Sequence, residues 1–192
     1  MSEGYYAQHY VYMHQQALEL ISQQNQFWLY TCGCRAGGKG CQRSQADVCL
    51  TFNAEALAGQ SGHHEVSRSE AERVEQAAQD QHLVARPFRN PANPQQIDGI
   101  CHCCDDCCSY FIEPGEACDK GSLIEATDLD ARNNYGKCVE VCYFGARSMA
   151  LGALTLQREA CYGCGLCVDV CPVDAITMTP CAVNDQAIRN GR

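Results

Sequence analysis

The sequence predicts an α+β protein that opens with a small, mainly helical, cysteine-rich N-terminal domain, and three observations carry that reading. Residues in the first hundred show helical periodicity and a capping signature, and short apolar runs bounded by turn residues read as strands. The last third holds an internal repeat offset by 29 residues. The expected division is 1–99 for the N-terminal domain and its connector, 100–121 for a cysteine-rich junction, 122–181 for a second domain and 182–192 for a tail.

Residues 5–26 are rich in Tyr, His and Gln, with Val11, Met13, Leu18 and Ile21 near helical spacing, which predicts a helix. His9 and His14 lie in this amide-rich stretch and are expected to be solvated. Phe27-Trp28-Leu29-Tyr30 reads as a short buried strand. It delivers the chain into Cys32-Gly-Cys34-Arg-Ala-Gly-Gly-Lys-Gly-Cys41, followed by Cys49 on an expected helix at about 46–57. Glycine allows backbone to bend closely around a metal centre, whereas a phosphate loop would need Ser or Thr after the Lys. Cys32, Cys34, Cys41 and Cys49 are therefore expected to form a metal site, for iron or for zinc, since the spacing does not decide between them.

Residues 58–66 read as a linker with His63 and His64 exposed. Ser67 or Ser69 with Glu70 or Glu72 makes a capping box that opens a helix to about Gln81, with Val74, Ala77 and Ala78 as a thin apolar face. His82 to Phe88 reads as a strand, and the scarcity of cations around it argues against a DNA-reading wing. Residues 87–99 contain three of the six prolines and read as an extended connector. Next comes Cys101-His-Cys103-Cys104-Asp-Asp-Cys107-Cys108, too dense for one cubane. Cys103 with Cys107, and Cys104 with Cys108, stand four residues apart, so some thiolates are expected to face one cluster and the rest another. His102 is not expected to be a ligand beside so many thiolates.

Cys161-Tyr-Gly-Cys164-Gly-Leu-Cys167-Val-Asp-Val-Cys171-Pro172 has the cysteine spacing of a [4Fe-4S] loop. The competing zinc ribbon would pair two separated Cys-x-x-Cys knuckles. Gly163 and Gly165 leave backbone N–H groups free to approach the sulfides. A shift of 29 residues places Cys138-Val-Glu-Val-Cys142 on Cys167-Val-Asp-Val-Cys171, with Ala131 on Ala160, Gly136 on Gly165, Ala146 on Ala175 and Met149 on Met178. The copy is damaged. Arg132 and Tyr135 stand where its first two cysteines belong, and Tyr143 replaces the proline.

From about Leu123 to Met178 the chain resembles the bacterial dicluster ferredoxin domain. That resemblance implies a ferredoxin-like β-α-β repeat: a strand at 122–127, a helix around Cys138 to Cys142, strands near 147–157, a helix near 165–171 and a strand at 175–178. It also implies that the last cysteine of each run crosses to the other cluster, so that Cys142 joins Cys161, Cys164 and Cys167 as cofactor ligands. Cys138 and Cys171 are then half a site, left as a disulfide or thiol pair, completed by upstream cysteines, or given an oxygen ligand such as Asp130. Over its whole length the chain, through Cys32 to Arg35, Asp47 to Cys49, Cys101 to Cys108 and Cys138 to Pro172, resembles an anaerobe-associated 4Fe-4S protein family. This implies cluster binding and electron transfer rather than a named reaction.

The nine cysteines from Cys32 to Cys108 would serve one or two further clusters, with zinc an alternative at Cys32, Cys34, Cys41 and Cys49. Cys118 and Cys181 have no pattern around them. The formal charge of -9 argues against a nucleic-acid surface and for docking on a basic patch of a redox partner. No apolar window is long enough for a membrane span. The opening residues lack a basic n-region and an apolar core, and with an odd count of seventeen cysteines the expected compartment is a reducing cytoplasm. The expected function is electron transfer, free or as a small subunit of an oxidoreductase, without catalytic activity of the chain alone. Two other readings use the same cysteines: a redox sensor or metal-binding interaction module, and an enzyme subunit with an open iron.

Overall fold

The computed structural model describes residues 6–37, 40–57, 62–113 and 115–181, and these fall into two compact units that divide after Cys118. Among the described residues no helix is long and apolar enough to cross a membrane. The expected tail, 182–192, lies outside them.

The N-terminal unit is built on a sheet rather than on helices. Its elements are β1 (His9–Tyr10), α1 (His14–Ser22), β2 (Trp28–Thr31), α2 (Gly33–Ala36), β3 (Asp47–Thr51), β4 (His63–Glu65), α3 (Arg68–Asp80), β5 (Val84–Arg89), β6 (Ile97–Cys103) and α4 (Ser109–Ile112), with β7 (Cys118–Asp119) at the division between the units. The strands form one seven-stranded sheet in the order β4-β2-β3-β6-β5-β1-β7. Three expectations are corrected here. Cys49 lies on strand β3 and not on a helix, because Tyr30 pairs with Cys49, and Leu50 with Ile100. The expected connector 87–99 contributes the end of β5 and the start of β6. The boundary expected between 99 and 100 falls inside β6, a strand paired on both sides.

Alternation along the strands sorts side chains onto two faces. Leu50, Ala85 and Ile100 point to the face covered by α1 and α3, where Ala17, Ile21, Phe27 and Ala71 complete the apolar core. Helix α3 opens as its sequence predicts: the Ser67 side chain accepts from the Glu70 N–H, and Glu70 reaches back to the Ser67 N–H. Gly99 is required by close packing, since a Cβ there would stand 2.2 Å from the Leu50 carbonyl oxygen.

The core also buries a charged cluster. His14, expected to be solvated, is buried, and its Nδ1 lies 2.6 Å from Glu75 Oε1 while its Nε2 lies 2.9 Å from the Leu83 carbonyl oxygen. His102 lies with Nε2 2.7 Å from Glu75 Oε2 and with Nδ1 on the Val48 carbonyl oxygen. Each imidazole thus faces two oxygen atoms. Burial by itself would raise the Glu75 carboxyl, but the charge and hydrogen bonds of His102 and His14 hold it down at about 2. Burial likewise disfavours the His102 cation, yet Glu75 raises its pKa. Fastening His102 to this face directs its neighbours Cys101 and Cys103 to the opposite one.

The C-terminal unit comprises β8 (Leu123–Thr127), α5 (Lys137–Glu140), β9 (Arg147–Ala150), β10 (Ala153–Leu156), α6 (Leu166–Asp169) and β11 (Ile176–Pro180). β8 pairs antiparallel with β11, and β9 with β10. The element order matches the expected β-α-β repeat, and the backbone keeps the repeat where the ligands are lost. Gly136 and Gly165 open the two short helices at φ 83° and 78°. Val141 and Val170 close them with φ and ψ of -97° and 3°, and -98° and 2°. Asn134 and Gly163, 29 residues apart, are also both left-handed.

Candidate metal centres

In the C-terminal unit Cys142, Cys161, Cys164 and Cys167 line one cavity, together with the stacked rings of Phe144 and Tyr162. Cys161 and Cys164 arrive from the loop that enters α6, Cys167 from α6 itself, and Cys142 from just past the end of α5. Gly163 makes that loop possible. Its φ is +79°, and a Cβ would stand 2.3 Å from the Leu123 carbonyl oxygen. Burial raises the Cys164 thiol and pushes Cys167 up to about 12, so these sulfurs become good ligands only as a metal displaces their protons. The donor set, four thiols around one apolar cavity with glycine-rich backbone beside it, suits a cubane.

Cys171 does not line that cavity. It lines another, with Cys138, Arg132 and Tyr135. Beside that cavity Arg147, buried, pairs with Glu125 at 2.5 Å and donates to Thr127 Oγ1 at 2.6 Å. Arg147 borders both cavities, and in the repeat it falls on Ile176. Burial opposes its charge, but Cys167, Glu125 and Cys138 hold its pKa up. Asp130 is exposed, and its N–H is donated to Asp128 Oδ1.

The N-terminal cysteines lie on the sheet face opposite the apolar core and on the loops over it. Tyr30, Cys49, Cys101 and Arg86 form a row across β2, β3, β6 and β5, and the Tyr30 hydroxyl lies 3.5 Å from Cys101 Sγ. Cys49 hydrogen-bonds Cys32 on one side and Cys101 on the other. The bond with Cys49 lowers Cys32 to about 6 and also lowers Cys101, which His9 assists. His9 is thus no solvated side chain: its Nε2 lies 3.8 Å from Cys101 Sγ and its Nδ1 3.3 Å from Glu116.

A hydrogen bond with Cys103 lowers the Cys108 thiol to about 7. Buried Arg86 lies 3.5 Å from Cys103 Sγ and 3.7 Å from Cys108 Sγ, pairs with Glu116 at 2.7 Å and lies over the Tyr110 ring. Cys34 is exposed, 3.7 Å from Ser109 Oγ.

Cys41 departs from the expected set. It joins Cys104 and Cys107 instead of Cys32, Cys34 and Cys49, because the loop that carries it is tied to the 105–106 turn. The Gln42 N–H donates to Asp106 Oδ2 at 2.8 Å, and Arg43 Nε donates to Asp105 Oδ1 at 2.8 Å. The three thiols Cys41, Cys104 and Cys107 all lie within 4.8 Å of one another.

Sequence reasoning missed Arg35, Arg86 and Arg147, the buried cations among the thiols. Arg35 stands inside the Cys-x-Cys-Arg segment, so its position was marked although its role was not. Nothing local marks the other two.

A family model described as a 4Fe-4S binding domain matches residues 155–177. No curated protein matches the chain. The match takes in Cys161, Cys164, Cys167 and Cys171 and supports a ferredoxin-type 4Fe-4S domain near the C-terminus.

Proposed function

We propose that the protein is an electron-transfer iron-sulfur protein whose C-terminal cluster is held by Cys142, Cys161, Cys164 and Cys167. The observation that carries this reading is that these four thiols line one cavity, three of them inside the segment that matches a 4Fe-4S domain. A [4Fe-4S] cluster bound there supplies one-electron cycling between its 2+ and 1+ levels. The chain's part is to hold four deprotonated sulfurs, to screen them with Phe144 and Tyr162, and to set the local charge through Arg147 and Glu125. No general acid or base is needed.

The N-terminal unit extends the reading to a further cluster over the cysteine face of the sheet. A second cavity there is lined by Cys32, Cys34, Cys101, Cys103 and Cys108, with Cys107 at its border and the Arg35 and Arg86 guanidiniums beside it. With a net charge of -9, the protein would dock on a basic patch of a redox partner in a reducing cytoplasm, free or as a subunit of an oxidoreductase. Reduction of the anaerobically purified chain should give an S = 1/2 signal that disappears on reoxidation, with at least about four irons and four sulfides per chain. A chain with no iron or sulfide after anaerobic reconstitution would sink the proposal.

A further inference from the structure

We infer that Cys41, Cys104 and Cys107 hold a single thiophilic divalent ion of the zinc class, separate from any iron-sulfur cube. The spacing of the sulfurs argues this first. Cys104 Sγ lies 3.6 Å from Cys41 Sγ and 3.6 Å from Cys107 Sγ. Three thiolates that share one tetrahedral ion, each at about 2.3 Å from it, stand about 3.8 Å apart. A cubane gives every thiolate its own iron and spreads the sulfurs to roughly 6 Å. No other such group of potential ligands within 4.8 Å of one another occurs among the described residues.

Charge supplies the second argument. Arg35 is buried, and its Nη1 lies 2.7 Å from Cys41 Sγ, 3.5 Å from Cys104 Sγ and 3.3 Å from Cys107 Sγ. Its Nη2 donates to the His102 carbonyl oxygen at 2.5 Å, while Nε has no partner. A buried guanidinium surrounded by sulfur needs anionic sulfur. Three thiolates and one divalent ion carry one negative charge, which Arg35 neutralises.

The third argument is local construction. Cys104 and Cys107 form a Cys-x-x-Cys turn, and the two acids between them are spent on fastening the loop that brings Cys41. No fourth protein ligand joins the three thiols among the described residues. The remaining position therefore falls to water or to a small anion, as in zinc sites that keep a position open.

Zinc, iron and sulfide are counted in the full chain purified without oxygen, as wild type, Cys104→Ser and Cys41→Ser. Cys41 lies on a loop outside the sheet, so its variant guards against loss of the fold, and the fluorescence of Trp28 on β2 checks that the unit is intact. About one zinc per wild-type chain is expected, with nearly none in either variant and with the iron, sulfide and EPR signal of the C-terminal cluster unchanged. Cobalt added in place of zinc should give the intense visible bands of a tetrahedral thiolate site, absent in both variants. Loss of about four irons and four sulfides in the variants would overturn the inference in favour of a cubane. Metal contents identical in all three proteins would also overturn it, leaving Arg35 alone to hold the thiols. Neither result touches the C-terminal cluster, whose EPR signal is read separately.

Discussion

Replacing Glu75 with Gln should unfold the N-terminal unit far more easily, although the change is nearly isosteric. The carboxylate accepts from two buried imidazoles, at 2.6 Å from His14 and 2.7 Å from His102. A glutamine amide offers one oxygen and turns its NH2 toward the other ring, which already needs an acceptor. Removing one partner of a buried charge cluster costs about 3–5 kcal/mol. In a chain of this size that corresponds to a fall in Tm of about 10 °C.

The only tryptophan, Trp28, sits on β2 of the same sheet, so its emission reports this unit. The pH dependence gives a second readout. The Glu75 pKa is depressed from 4.5 to about 2, so its stabilisation is complete above the unfolded value and is lost as pH falls from 4.5 toward 2. The wild type should lose stability across that window, and Glu75→Gln should lack that share of the acid dependence. A variant within about 1 kcal/mol of wild type, with the same acid profile, would refute the account of the buried cluster.

Gly163→Ala should abolish the C-terminal EPR signal and lower iron content while leaving Trp28 emission unchanged, because a Cβ would meet the Leu123 carbonyl at 2.3 Å in a left-handed backbone. Full iron in that variant would show that the loop yields more than the geometry allows. Arg147→Ala should destabilise the C-terminal unit by about 3 kcal/mol, since Glu125 is left with the neutral Thr127 hydroxyl and with half-exposed Arg158 at 3.6 Å. Thermal loss of the cluster's visible absorbance measures this, and an unshifted midpoint would contradict it.

The cysteine loop at 161–171 was legible in sequence because ligand spacing is local and glycine marks the turns. The broken repeat was legible too, since Gly136 and Cys138 kept their offset from Gly165 and Cys167. The N-terminal sheet was not. Cys49 lies in a run that fits helix or strand, and only its partners, Tyr30 beside it and Ile100 facing Leu50, decide the matter. The partition of Cys41 depends on Asp105 and Asp106, more than sixty residues away. Glu75 left one trace, a charge in the middle of the buried face between Ala71 and Ala78 on α3. Its partners at 14 and 102 meet it only in the folded chain.

The central claim is that the C-terminal cluster draws its fourth thiolate from the broken half of the repeat. The most direct measurement compares the EPR signal and iron content of Cys142→Ser and Cys171→Ser, each purified without oxygen. The account predicts that Cys142→Ser damages the cluster, because Cys142 shares a cavity with Cys161, Cys164 and Cys167, and that Cys171→Ser leaves it intact. A cluster lost in Cys171→Ser and unchanged in Cys142→Ser would contradict it.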